Sequence, residues 1–253
     1  MATRTWIGDD VGNEGDWTVA ANWSGAAVPV SGDDLVFDGT ANYGVASTPA
    51  VAGANDDFGE VRITSDFAYD FGDAAGSIVW DLVNPGADLL IVDASNCPTY
   101  FKLDAKLTKA IILGSGALAT SMVLDGEITD LEIQKGTITA VTGVTFTNMR
   151  VSYKSAQATD VTVTIPTGCT ITNVWQRGGT VTCSSAVATK LEIDSGVFTH
   201  SDGNMGILSQ RGGTYYWNCD GDTITEAKLF AGTFDARNNG NAKTITNGEI
   251  WPG

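Results

Sequence analysis

A short phrase recurs through the second half of this chain, and it limits the fold more than any other feature. It reads Thr, any residue, apolar, any residue, apolar, then in most copies a glycine three positions on and a second apolar pair. Thr129-Asp130-Leu131-Glu132-Ile133 runs to Gly136 and Ile138; Thr189-Lys190-Leu191-Glu192-Ile193 runs to Gly196 and Phe198. Thr225-Glu226-Ala227-Lys228-Leu229 leads to Gly232 and Phe234. Thr147-Asn148-Met149-Arg150-Val151 fits too, as does Thr172-Asn173-Val174-Trp175-Gln176 with Gln176 in an apolar slot; Thr108 and Thr246 open further copies. A repeated unit of this size cannot bury its own apolar face, so it must stack on its neighbours.

Apolar residues alternate with Asp, Glu, Lys, Arg and Asn inside each unit, which is the period of a half-buried strand. Repeats of about 17–21 residues leave no room for a crossover helix. The expected fold is all-β: a single-domain parallel β-helix over 1–253, with three short strands per coil and tight turns rich in Gly, Asn, Asp and Ser. A β-sandwich could carry the alternation but not the fixed grammar. Residues 1–40 form a Trp-rich N-terminal cap, 41–105 hold irregular coils, and 106–253 hold regular ones. Leu131, Met149, Val174, Leu191 and Ala227 should stack as one interior column, and Ile133, Val151, Ile193, Leu229 and Ile250 as another. The threonines should line a corner, with hydroxyls bonding one coil to the next. Glycines 136, 179, 196, 213 and 232 should occupy a turn that a Cβ would obstruct.

The formal charge of −16 disfavours nucleic acid and anionic membranes as partners, since both would repel the chain. The opening Met-Ala-Thr-Arg-Thr-Trp has no apolar leader, so synthesis in a cytosol is expected. Cys97, Cys169, Cys183 and Cys219 form no CxxC pair and read as free thiols. His200 beside Ser201 and Asp202 reads as a turn rather than a catalytic triad, because sequence neighbours rarely reach triad geometry. The acidic stretches Asp9 to Asp16 and Asp220-Gly221-Asp222 lack calcium-loop spacing, so no metal, cofactor or catalytic residue is assigned. Glu132, Arg150, Glu192, Lys228 and Glu249 share one outward column, where interleaved charges suit an ion-pair ladder rather than a cleft.

The first forty residues carry Trp6-Ile7-Gly8, Gly15-Asp16-Trp17, Asn22-Trp23-Ser24, Val28-Pro29 and Gly32-Asp33-Asp34. This order resembles the opening of bacterial and tailed-phage β-helical repeat proteins, including autotransporter-type surface proteins and uncharacterised virion proteins. The resemblance covers about a sixth of the chain. It implies a β-helix in an extracellular or virion setting and no catalytic residue. Trp6, Trp17 and Trp23 would cover the end of the stack. Elsewhere Trp175 takes the outward slot that other copies give to charges. Tyr215-Tyr216-Trp217 places aromatics on both faces of one strand, and Trp251 lies in the terminal coil. These five are the interface candidates. The expected function is a non-enzymatic structural protein of a phage virion: a capsid decoration protein on the virion surface, acting as a homo-oligomer, in all expectation a trimer. The alternatives are a glycan- or receptor-binding module using the same aromatics and, third, a polysaccharide-degrading enzyme.

Overall fold

The computed structural model describes residues 2–45, 58–70, 80–96, 102–114, 122–152, 161–237 and 242–251. Within them the chain is a parallel β-solenoid with a single 3-10 turn at Ala20–Asn22. It forms two compact units, Met1–Ile128 and Thr129–Gly253.

The first unit contains β1 (Thr3–Thr5), β2 (Asp34–Phe37), β3 (Phe58–Ile63), β4 (Trp80–Asp93) and β5 (Lys102–Gly114), each parallel to the next. Register turns the alternating pattern into columns. Leu35, Val61, Leu90 and Ala110 are successive partners, as are Phe37, Ile63, Val92 and Ile112, and all eight are buried. Phe58 to Ile63 and Leu89 to Val92, inside the stretch expected to hold irregular coils, are therefore regular rungs. Each fully buried apolar side chain of this size contributes roughly 1.5–3 kcal/mol relative to exposure.

Trp6, Trp17 and Trp23 form a sealed aromatic cluster against Phe37 and Phe58. Trp17 and Trp23 meet edge to face with centroids 4.5 Å apart, and Trp6 meets Trp23 at 5.0 Å. The polar members of the same motifs hold this segment in place. Buried Asn22 donates to the carbonyls of Asn13 and Asp16 and accepts from the Asp10 amide. Buried Asp33 accepts from the Ala2 amide and pairs with Arg4 at 3.2 Å. Those bonds hold its carboxyl below the usual range despite burial, which pushes the other way. The acidic run Asp9 to Asp16 is thus part of the packed cap, with Asn13 bonded to Asp10 and Asn42 to Asp9.

β6 (Met122–Ile133) carries the division between the units. The second unit continues with β7 (Gly136–Ala140), β8 (Thr145–Val151), β9 (Val161–Ile165), β10 (Thr170–Gln176), β11 (Thr180–Cys183), β12 (Val187–Ile193), β13 (Val197–His200), β14 (Met205–Gln210), β15 (Thr214–Trp217), β16 (Thr223–Leu229), β17 (Thr233–Asp235) and β18 (Thr244–Ile250). Even-numbered strands stack in one parallel ladder and odd-numbered strands from β7 in a second. Among the described residues, each coil of this unit therefore shows two strands, not the three expected. The even strand bends instead of breaking. At Thr147-Asn148 and Thr172-Asn173 two consecutive side chains stay unburied between buried neighbours, so hydrogen bonding continues through a corner.

The threonines of the repeat do sit at that corner, but the coil-to-coil bonds run through the next residue. Asn173 Nδ2 donates to Asn148 Oδ1 at 3.1 Å, and Asn148 Nδ2 to Asp130 Oδ1 at 2.9 Å. Met149, Val174, Leu191, Leu208 and Ala227 form the first interior column, with Leu131 buried on the adjoining β6. The second runs Val151, Gln176, Ile193, Gln210, Leu229, Ile250. Ile250, expected inside, keeps this register but is 80 % exposed, because β18 is the last rung of its ladder among the described residues. The turn glycines form the tightest column. Gly196, Gly213 and Gly232 all have positive φ, and a Cβ on each would lie 2.5 Å from the carbonyl oxygen of the glycine one coil below.

Candidate functional site: two outward faces of the second unit

The two ladders present chemically different surfaces. On the even strands, the outward column Arg150, Trp175, Glu192, Ser209, Lys228, Glu249 lies beside Asn148, Asn173, Lys190, Ile207, Glu226. Opposite charges pair along this face. Arg150 meets Asp130 at 3.2 Å, Arg177 meets Asp194 at 3.4 Å, and Lys228 meets Glu226 at 2.7 Å. Arg211 bridges Glu192 and Asp194, and Lys190 pairs with Glu192. Exposed pairs of this kind are each worth roughly 0.2–1 kcal/mol.

The odd strands present threonine. Thr137 and Thr139, Thr162 and Thr164, Thr180 and Thr182 lie in register over three coils, followed by Val197 and Thr199, then Thr214 and Tyr216. None of these ten outward residues is charged, and each alternates with a buried partner such as Ile138, Val163, Val181, Phe198 or Tyr215. The rim carries Asp235, whose carboxyl is held at about 2 by hydrogen bonds from Arg237. The sequence reading missed this face. Its signal was the Thr-x-Thr triplet at 137, 162 and 180.

The aromatic candidates separate. Trp175 points outward but is only partly exposed, and the Arg150 guanidinium lies 5.0 Å from its ring centroid. Tyr216 points outward among the threonines. Tyr215 and Trp217 do not: they are 0 % and 2 % exposed and pack inside against Phe234. They offer no surface to a partner, since alternation on β15 admits one outward aromatic between them. Trp251 is 56 % exposed and stacks on Phe230 beside a groove of about 390 Å³ that Leu229, Phe234 and Ile250 also line.

His200 is a core residue, not a turn residue. It ends β13 pointing inward, fully buried, between the Cys183 and Trp217 rungs. Nε2 lies 3.1 Å from the Ser185 carbonyl oxygen and Nδ1 3.0 Å from the Tyr215 hydroxyl. A carbonyl only accepts, so Nε2 carries the proton and the Tyr215 hydroxyl donates to Nδ1. Burial lowers the affinity of His200 for a second proton. Ser201 and Asp202 lie in the turn that follows. Cys169, Cys183 and Cys219 are free and buried, and burial pushes the thiols of Cys183 and Cys219 up to about 12, which leaves them inert as nucleophiles. Cys97 lies outside the described residues. Among the described residues, no three His, Cys, Asp or Glu side chains converge as a metal site.

Sequence reasoning left Gln176 unexplained, and the interior accounts for it. Its Nε2 donates to the carbonyls of Gly178, Gly179 and Val197 at 3.0–3.2 Å. Gln210 repeats the pattern with Gly212, Gly213 and Thr233. The signal was the duplicated string Gln-Arg-Gly-Gly-Thr at 176–180 and 210–214. A buried turn needs its carbonyls satisfied, and the glutamine does this from inside.

No family model and no solved structure matches this chain. A stretch of 47 residues is 43 % identical to the minor fimbrium subunit Mfa5 of Porphyromonas gingivalis. That stretch is 19 % of this chain and 4 % of that protein, so the chain spans a small fraction of the relative it matches.

Proposed function

We propose that this chain is a non-enzymatic structural module of a surface assembly, acting as a homo-oligomer. Its specific form is a capsid decoration protein of a tailed-phage virion, present as a trimer. The observation that carries the reading is the fate of the chain's reactive groups. Along the even strands charges pair within and between coils rather than converging on a cleft. The histidine and the described cysteines are locked in the core. The groove beside Trp251 is lined by apolar residues, Gln210 and glycine, with no acid or base. The similarity to a fimbrium subunit supports an appendage or particle-surface setting.

Outward aromatics are the natural contact points, because interface aromatics often contribute 2 kcal/mol or more. Trp175, Tyr216 and Trp251 remain in that role. Light scattering on the purified chain should give a trimer, and Trp175→Ala should shift it toward monomer. A monomer that captures a defined sugar on a glycan array through Trp175 or Tyr216 would replace this reading with the glycan-binding one.

A further inference from the structure

The threonine face asks for a ligand of its own, because the fold does not require it. The even strands show that outward positions tolerate Arg150, Lys190, Glu192 and Lys228. On a chain of net charge −16, five successive outward rungs without a charge on the odd strands are a segregation that alternation alone does not produce. Among the described residues, the hydroxyls of Thr162, Thr164, Thr180, Thr182 and Thr199 take no hydrogen bond within the protein.

We infer that this face, centred on Thr162, Thr164, Thr180 and Thr182, binds the surface of ice. Strand neighbours repeat at about 4.8 Å and residues i and i+2 at about 6.7 Å. The result is a two-dimensional grid of hydroxyl and methyl groups in register. These two repeats approximate the spacing of oxygen rows on a prism face of ice, so hydroxyls can stand at lattice sites while methyls fill the gaps between rows. The grid is pre-organised. β-branched threonine has few χ1 states to lose, the residues between are core, and the glycine column fixes the stagger of Gly179, Gly196 and Gly213. A charge at any of these positions would hold its own hydration shell and stand off a crystalline surface.

Other occupants fit less well. The grid measures roughly 20 Å by 7 Å, well short of the roughly 800 Å² per partner that a stable protein contact buries. A peptide strand needs an open backbone edge, and this is the middle of a sheet. A sugar needs aromatic platforms, and Tyr216 alone stands at the margin.

The test uses the purified chain in an ice-recrystallisation assay and in nanolitre osmometry. Unaltered protein should keep ice grains small and facet growing crystals. Thr164→Lys and Thr180→Lys should each lose most of that effect, and Thr164→Val should keep much of it. Lys228→Ala on the charged face should leave it unchanged. Circular dichroism of every variant separates loss of the face from loss of the fold. Folded, unaltered protein that leaves ice growth identical to buffer overturns the inference. So does an effect that Lys228→Ala abolishes and Thr164→Lys does not. If Thr164→Lys dissolves an oligomer or removes a glycan-array signal while ice growth never responds, the face belongs to a second copy or a sugar, and the inference is overturned as well.

Discussion

At the scale of single residues, the interior contains groups that a random apolar filling would not, and each makes a measurable demand. His200 is held neutral with both ring nitrogens engaged. The fold disfavours its protonated form chiefly through burial, with the Ser185 carbonyl and then Asp222 and Asp202 opposing. An unfolded chain takes that proton near its ordinary value of about 6.5. This contribution is therefore complete above about pH 6.5, falls as pH drops through that value, and levels off below the depressed value in the fold. Melting temperature measured from pH 8 to 5 should fall faster for the unaltered protein than for His200→Gln. Parallel curves would contradict the assignment. The glycine column makes a second demand. Gly213→Ala places a methyl 2.5 Å from the Gly196 carbonyl oxygen at φ +66, whereas Gly221→Ala meets nothing within 4 Å at φ +78. Both carry the left-handed backbone cost of roughly 1–2 kcal/mol, and only Gly213→Ala adds a clash. Urea unfolding should show Gly213→Ala the more destabilised of the two; equal losses would mean the coils can shift apart.

At the scale of elements, the coil was legible because its period is written in the sequence. Alternation gave the strands, and the spacing of Thr129, Thr147, Thr172 and Thr189 gave the repeat. The glycines gave the turn. Counting from those glycines would also have settled the aromatics. Position +2 is inward at Phe198 and Tyr215, and position +4 is inward at His200 and Trp217. Tyr215, Trp217 and His200 were misplaced because their chemical type was weighed before their parity. The bend in the even strands was not legible, since two consecutive polar residues look the same in a turn and in a continuous bent ladder. In-out assignment is tested by a neighbouring pair on β12. Leu191→Asp buries an unpaired carboxylate and should cost several kcal/mol. Glu192→Lys, whose side chain is partly exposed beside Lys190 and Arg211, should cost no more than roughly 1 kcal/mol. Chemical denaturation giving equal losses would contradict the burial pattern of that strand.

At the scale of the whole molecule, charge and reactivity point the same way. A chain at −16 carries a large excess of acid over base, with ion pairs both within and between coils, while its imidazole and its described thiols are buried. What the repeat does not make legible is contact with any partner, because such contacts are chosen by surface side chains that the repeat leaves free to vary. The direct measurement is quantitative mass spectrometry of purified native particles, with the copy number of this chain set against the major shell protein. The account predicts hundreds of copies per particle. A handful of copies, or none, would contradict it.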